Sequence, residues 1–442
     1  LIEKDNPLPM SIGRVCPHPC EEKCRRKHLE GAVSICALKR FSAEANVDYI
    51  PECKANNGKK IAVIGAGPAG LSCAYFLAIE GYQVEIFEAE ENGGGMLRYG
   101  IPAYRLPKDI LDKEIENIEK MGVKISYNKK LGRDFTIEAL KSSFNAVFVA
   151  IGAWTASGLR CEGEDAQGVE GGIDVLYRVA KGEKVDLGDN VCVVGGGNTA
   201  IDAVRTAVRL GAKNVTLVYR RTEKEMPAEP DEIFDAKAEG VNFRFLAAPI
   251  RVLSENGKAT GLEIQNMELG EPDESGRRQP VAIEGSTDII KCDTVISAIG
   301  QRVSSSCIDS VELTKKSTIS VNEKTYMTSV DGVFAAGDVI NKGPDIAIRA
   351  IAGGKYAARS IDCYINGIEV PDELPAYSVN TNFDASVLEG MSLIDRCEIK
   401  LENANSRRNN FNEVASTLTK EEAQKEASRC LECGCSAVYS CE

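Results

Sequence analysis

Apolar residues in this chain fall into short, nearly unbroken runs, most of them closed by a glycine. Ile61 to Ile64, Phe148 to Ile151, Val191 to Val194 and Val295 to Ile299 are such runs, closed by Gly65, Gly152, Gly195 and Gly300. A strand buried on both faces has no polar side to alternate with, so these runs predict a parallel sheet covered by helices. Leu71 to Glu80 and Ile201 to Leu210 continue from glycine-rich turns as apolar helices, with second strands at Gln83 to Phe87 and Val215 to Tyr219. A flexible loop at 92–102 precedes a helix expected from about Pro107 to Met121. Gly332 to Asp338 reads as a strand ending in Gly-Asp, with a helix from about Asp345. The stretch 378–428 is polar and weakly patterned apart from a helical segment near Lys420 to Ser428.

Two of these strand–turn–helix units carry a phosphate-binding spacing. In the first, Gly65, Gly67 and Gly70 stand as G-x-G-x-x-G, with Pro68 and Ala69 inside the spacing. The first glycine permits a tight turn, the second lets backbone approach a pyrophosphate, and the third lets helix and strand pack closely. The helix N-terminus then faces the phosphate charge. Glu88 ends the second strand, where an acid accepts hydrogen bonds from ribose hydroxyls. The second unit reads Gly195, Gly196, Gly197, Asn198, Thr199, with Ala200 replacing the last glycine. When Val84 is matched to Val215, Tyr219 takes the place of Glu88, and Arg220 and Arg221 follow. An acid there repels a 2′-phosphate, whereas guanidinium groups bind it bidentately. The second unit is therefore expected to hold NADP and the first an unphosphorylated dinucleotide.

Charge and cysteine content narrow the picture. At 442 residues the chain can form two or three domains. A formal net charge of −13 argues against nucleic acid and anionic membrane as partners. The uncharged stretch Ile61 to Ile79 contains three fingerprint glycines and a proline, so it is no membrane span. No signal-peptide pattern opens the chain, and a cytoplasmic location is expected. The chain starts on Leu1 in a polar stretch, which leads to the expectation that it is a fragment of something longer. Only His18 and His28 are histidines, which excludes chemistry needing a histidine base in the main body. Hydride transfer needs none. Of 16 cysteines, Cys16, Cys20, Cys24 and Cys36 crowd one end and Cys430, Cys433, Cys435 and Cys441 the other. Clustered cysteines in a large chain favour metal over a disulfide framework. Iron–sulfur ligation is preferred beside a dinucleotide motif, with zinc possible.

Taken in order, these motifs resemble the small subunit of NADPH-dependent glutamate synthase and its relatives. Those include the electron-bifurcating ferredoxin:NADP reductases and the N-terminal half of dihydropyrimidine dehydrogenase. The resemblance rests on Gly13 to Glu21 with Cys16 and Cys20, on Gly65 to Gly70, and on Gly94 to Pro102 with Arg105. It extends to Gly195 to Ala200 with Tyr219, Arg220 and Arg221, to Ala298, Ile299 and Gly300, and to Gly337 and Asp338. It implies an α/β fold of two Rossmann-like dinucleotide-binding domains, one inserted in the other, with a helical iron–sulfur domain in front. The expected division is 1–57 for a partial iron–sulfur domain, 58–155 with 306–375 for FAD, 156–305 for NADPH and 376–442 for a cysteine-bearing tail. Gly65, Gly67, Pro68, Ala69, Gly70, Glu88, Met96, Arg105, Leu131, Gly337 and Asp338 are implied as FAD contacts. Gly196, Gly197, Asn198, Thr199, Arg220, Arg221, Ala298, Ile299 and Gly300 are implied for NADPH. Relatives carry two [4Fe-4S] clusters that also use an upstream cysteine block. That block is missing here, and residues 410–414 and 426–433 resemble it at the other end of the chain.

The expected function is an FAD-containing NADPH oxidoreductase that relays electrons through iron–sulfur clusters to a partner subunit or domain, within a hetero-oligomer. No side chain stands out as a catalytic acid or base. Two rivals remain open. A disulfide reductase could use the C-terminal cysteines as a mobile dithiol; within 155–305 only Cys161, Cys192 and Cys292 occur, far apart in sequence. A non-catalytic scaffold is the other, against which the intact second fingerprint argues.

Overall fold

The computed structural model describes residues 1–273, 276–304, 306–308, 310–340, 345–371 and 385–432. Two helices, α1 (Pro9–Val15) and α2 (Ile35–Glu44), open the chain. Then come β1 (Lys60–Ile64), α3 (Pro68–Ile79), β2 (Gln83–Phe87), α4 (Lys108–Lys120), β3 (Lys124–Ser126) and β4 (Ala146–Val149). A second series follows: β5 (Val169–Gly171), α5 (Gly172–Ala180), β6 (Asn190–Val194), α6 (Asn198–Arg209), β7 (Asn214–Tyr219), α7 (Pro230–Ala238) and β8 (Asn242–Phe245). β9 (Ala247–Glu255), β10 (Lys258–Pro272) and β11 (Arg278–Lys291) form an antiparallel sheet. The last labelled elements are β12 (Thr294–Ser297), β13 (Val333–Ala335), α8 (Ala347–Ile365) and α9 (Lys420–Ser428).

The order of strands shows how the two units are nested. One parallel sheet runs β13-β4-β1-β2-β3, the other β5-β12-β6-β7-β8. The chain leaves the first sheet after β4, builds the whole second sheet, and returns as β13, where Val333 pairs with Val147 and Ala335 with Val149. The fold is thus α/β, with one Rossmann-like unit inserted in the other and short helices in front. The apolar runs became strands because both faces are covered; Ile61, Ala62 and Val63 are fully buried. Helix α3 is apolar all round because α8 packs on it so closely that a Cβ at Gly354 would stand 2.2 Å from the Ala69 carbonyl oxygen.

The polar C-terminal stretch is not a free appendage where it is described. Helix α9 begins with a capping box in which Thr419 and Glu422 satisfy each other's backbone N–H groups. Near its end, Glu426 accepts from the Ser34 and Cys397 N–H groups at 2.8 and 2.7 Å. Arg429, fully buried, donates to the carbonyls of Gly31, Ala32 and Ile394. Residues 31–34 and 394–429 therefore meet in one helical layer. Its weak apolar signal is explained by the means of attachment, buried charge-assisted hydrogen bonds in place of an apolar stripe.

Helix α4 joins that layer to the first sheet. Leu111, Ile115 and Ile118 give it an apolar face, and Glu114 lies buried among them. The Glu114 carboxylate accepts the Met10 N–H at 2.6 Å, the Ser11 N–H at 3.1 Å and the Ser11 hydroxyl at 2.5 Å, capping the start of α1. Burial pushes this carboxyl up to about 7, against the pull of those donors. Between its ordinary value of 4.5 and about 7, the folded chain keeps a proton that the unfolded chain has lost. The group's contribution to stability is therefore fullest below pH 4.5 and declines as pH rises through 7. Accordingly, Glu114→Gln is expected to gain on the wild type in urea-midpoint stability as pH rises from 5 to 8. A difference between the two that does not move with pH would contradict this.

Candidate functional site

The two fingerprints superimpose in their local logic. Gly65 (φ +103°) turns at the end of β1, where an added Cβ would lie 2.5 Å from the Ala150 carbonyl oxygen beyond β4. Gly195 (φ +155°) does the same at the end of β6, 2.4 Å from the carbonyl oxygen of Ala298 beyond β12. Any side chain at either position would force the central strands apart. At Gly70 a Cβ would stand 1.9 Å from the Gly65 oxygen, so α3 leaves its strand through a contact that excludes even alanine. α3 starts at Pro68 and α6 at Asn198, so each helix presents its N-terminus just beyond a glycine turn.

Around the first turn the structure gathers most of the expected FAD residues. Glu88 is buried, its carboxylate accepting the Ala66 N–H at 2.6 Å and the Glu90 N–H at 2.8 Å. Burial raises this carboxyl, with the two N–H donors opposing. The loop at 92–102 folds back so that the Gly95 backbone faces Gly67, 2.8 Å from the Gly67 Cα to a Cβ built on Gly95. Gly94 N–H donates to the Ala66 carbonyl, and the Lys108 ammonium pins the far side by donating to the Leu97 and Ile101 carbonyls. Met96 starts the short helical turn of this loop. Gly337 (φ +77°) abuts Ala69, with Asp338 next to it accepting the Asp345 N–H at 3.1 Å. This is a cradle of bare backbone edged by two acids, a fit for a dinucleotide whose ribose and pyrophosphate need N–H donors and carboxylate acceptors. Leu131 lies close by in the core with Ile64 and Val149.

Two of the expected arginines have protein partners of their own. Arg105, expected beside the flavin, is half-buried with its guanidinium 2.8 Å from Asp202 and 2.9 Å from Glu232 of the second unit. Arg220 and Arg221, expected to act as a pair, are separated. Arg220 is exposed at the end of β7, while Arg221 is buried, bonded to Asp273 and to the Arg278 carbonyl at 2.7 Å each. Arg221 thus anchors the end of the β10–β11 hairpin. The strand register supports the matching of endings: Gly65 N–H meets the Phe87 carbonyl and Gly195 N–H the Val218 carbonyl, so Tyr219 does occupy the place of Glu88. Its ring covers Gly196, where a Cβ would come within 2.4 Å. Thr199, Ala298 and Gly300 line one small cleft with Ala156, Ile173, Ser297 and Gln301, and Ile299 is exposed at its rim.

The cysteine expectations divide. Cys16 and Cys36 are brought together: the Cys36 thiol donates to Cys16 and, with Lys39 nearby, draws Cys16 down to about 6. Contact with Cys16 and burial push Cys36 the other way. Cys20 sits exposed on the turn Pro19–Glu22, and Cys24 follows it just before the turn Arg25–His28. Among the described residues no three Cys, His, Asp or Glu side chains converge on a metal position. The donor set is nonetheless rich in thiols, which fits a cluster in kind. Cys430 lies at the end of α9, where the neighbouring Arg429 carbonyl accepts from Arg26 at 3.0 Å, so it joins the layer that holds the N-terminal cysteines. Cys433, Cys435 and Cys441 lie outside the described residues.

Sequence spacing hid one further contact. Cys192 on β6 and Cys292 before β12 have thiols in hydrogen-bond contact, and both are buried in the second unit's core. A pair so enclosed cannot meet a protein disulfide, so these two thiols give the second unit no accessible dithiol; the disulfide-reductase rival rests instead on the C-terminal cysteines.

Comparison with known proteins decides the class. The pyridine nucleotide-disulphide oxidoreductase family matches residues 59–354, both dinucleotide units and the returning strand. The chain belongs to this family. In front of it, residues 1–49 match the dihydropyrimidine dehydrogenase domain II, 4Fe-4S cluster family. The NADPH-Fe(3+) oxidoreductase subunit beta of Geobacter sulfurreducens is 40% identical over 98% of this chain and 70% of its own length. The Escherichia coli glutamate synthase [NADPH] small chain is 37% identical over 84% of this chain and 83% of its own. Mycobacterium tuberculosis FprA shares the fold, with a TM-score of 0.62 at 18% identity over 70% of this chain and 85% of that one. This member of the family is an NAD(P)H-dependent flavoprotein oxidoreductase with an iron–sulfur domain, and its similarity to the glutamate synthase small chain is as expected. Several relatives are named as subunits of larger enzymes. Among the described residues no helix is long and apolar enough to cross a membrane.

Proposed function

We propose that this chain oxidises NADPH at the second unit, holds FAD at the first, and passes electrons through its iron–sulfur layer to a partner protein subunit. The observation that carries this reading is the pair of equivalent glycine turns with opposite endings: a buried acid, Glu88, on the first and Tyr219 with exposed Arg220 on the second. FAD, when bound, accepts a hydride from a nicotinamide and gives up electrons singly, as iron–sulfur clusters require. The chain's residues position and select. Gly67, Gly95 and the α3 N-terminus receive the FAD pyrophosphate, and Glu88 and Asp338 accept its hydroxyls. Gly196, Gly197, Asn198 and Thr199 receive the NADPH pyrophosphate, Arg220 its 2′-phosphate, and Ala298 to Gly300 line the cleft for the nicotinamide. Cys16, Cys20, Cys24 and Cys36 supply thiolates, with Cys430 brought from the other end of the chain. The partner in this reading is an electron acceptor; the subunit names of the relatives support the presence of a partner subunit.

The nucleotide assignment is tested by separating the two arginines. Charge-assisted hydrogen bonds contribute roughly 1.5–3 kcal/mol, so Arg220→Ala is expected to raise the Michaelis constant for NADPH about tenfold or more while barely changing that for NADH. Arg221→Ala should instead lower the thermal midpoint and weaken both nucleotides alike. Equal losses for the two nucleotides in Arg220→Ala would defeat the assignment.

The exit route is tested at the cysteines. Cys16→Ser or Cys20→Ser in anaerobically prepared protein is expected to lower iron and sulfide content and to abolish reduction of a one-electron protein acceptor. Flavin reduction by NADPH should persist. A wild-type preparation without iron, whose cysteines titrate as free thiols, would remove the iron–sulfur route.

A further inference from the structure

The second unit carries a buried charge imbalance that other parts of the chain correct. Asp202 on α6 and Glu232, Asp235 and Glu239 on or beside α7 face one another around Arg205 and Arg209. Within the unit that is four acids against two arginines. Glu239 and both arginine side chains are almost wholly buried. Hydrogen bonds from Arg209 and Arg205 overcome burial and hold Glu239 at about 2, while burial pushes Asp202 up to about 6. Two arginines from outside restore the balance. Arg105, on the loop that follows the FAD cradle, engages Asp202 and Glu232. Arg407, from the C-terminal stretch, donates to Asp235 at 2.6 Å and lies 3.0 Å from Glu239 as an ion pair off the hydrogen-bond line.

Arg407 belongs to a closed loop whose ends, Leu401 and Ala415, pair antiparallel. That loop touches all three parts of the molecule. Its Phe411 ring stands 6.3 Å from the ring of Tyr104, and its Val414 N–H donates to the Tyr104 carbonyl at 2.9 Å. Tyr104 belongs to the FAD unit's loop, is fully buried, and lies under the guanidinium groups of Arg205 at 4.8 Å and Arg209 at 3.9 Å. Glu413 reaches the iron–sulfur layer, 2.7 Å from Arg14 and 2.8 Å from Arg40.

We propose that the loop 401–415 is a clasp that fixes the second unit against the first in the orientation needed for hydride transfer, with Arg407, Phe411 and Arg105 as positioning residues. Swinging the second unit away would strip Arg105 and Arg407 from buried carboxylates and leave them uncompensated, so the closed arrangement is favoured electrostatically. The clasp touches neither glycine turn. It therefore governs how often the nicotinamide faces the flavin rather than how tightly either nucleotide binds. This rests on the FAD and NADPH assignment made above.

The chain contains its own reporter. Trp154, the single tryptophan, packs against both Tyr99 of the FAD unit's loop and Tyr177 of α5, with ring centres 6.0 and 6.1 Å away. Arg407→Ala, Arg407→Lys and Phe411→Ala holoproteins would be compared with the wild type by Trp154 emission, by NADP+ dissociation constant and by anaerobic stopped-flow flavin reduction at saturating NADPH. The expected result for Arg407→Ala and Phe411→Ala is a shifted Trp154 emission and a flavin reduction rate at least tenfold lower. Their NADP+ dissociation constants should stay within twofold of the wild type, and Arg407→Lys should recover much of the rate. Phe411→Ala removes only an aromatic contact, so it carries the test if Arg407→Ala does not fold. Rates within twofold of the wild type in folded variants, or NADP+ affinity falling in step with the rate, would overturn the clasp. A wild-type protein whose flavin NADPH cannot reduce would instead overturn the functional reading beneath it.

Discussion

The nucleotide core depends on one constraint: backbone must pass backbone at a distance that no side chain permits. At Gly65 and again at Gly195, the turn after the central strand lies against the carbonyl that follows the neighbouring strand. That approach opens the crevice at the strand ends and aims a helix N-terminus into it. Every other feature of the two sites is placed relative to that turn. Glu88 and Tyr219 stand one residue past the carbonyl that bonds the turning glycine. Gly95 is held opposite Gly67, and Gly337 against Ala69.

Much of this was legible in the sequence because the physics is local. Doubly buried parallel strands write themselves as apolar runs, and a tight turn facing phosphate writes itself as spaced glycines. The nesting of the units could be read because β13 repeats the same apolar signature far along the chain. What sequence could not reveal was pairing between distant polar residues. Arg105 and Arg221 look like cofactor-binding residues from their neighbours in sequence, yet each has a carboxylate partner distant in sequence: buried Asp202 for one, half-buried Asp273 for the other. The C-terminal stretch was unreadable for a related reason. Arg407, Glu413, Glu426 and Arg429 attach it by ion pairs, and such residues in isolation resemble a solvated surface. Composition does hold one hint, since so polar a stretch ending in a capped helix with cysteines beyond it is unlike a simple linker.

The buried charges also explain why the units can be separate folds and still act together. Each sheet has its own apolar cluster, so neither needs the other to exclude water. Beside the aromatic contacts of Tyr99, Trp154 and Tyr177, what joins them is polar and directional. Apolar surfaces tolerate sliding, whereas a guanidinium between two carboxylates has one acceptable place. For a reaction that needs two rings to meet face to face, directional attachment suits the task better than a greasy one.

The return of β13 to β4 has a consequence for how the molecule is made. The second sheet is continuous in sequence, so it can complete its own strand pairing while the first still lacks an edge. The first sheet must wait for Val333 to reach Val147, and the N-terminal helices for Glu413 and Glu426. On a ribosome the inserted unit can therefore fold before the sheet that encloses it, and the helices at residues 9–44, made ahead of it, are finished after it. Until then the cysteines among them remain open to whatever delivers iron and sulfide.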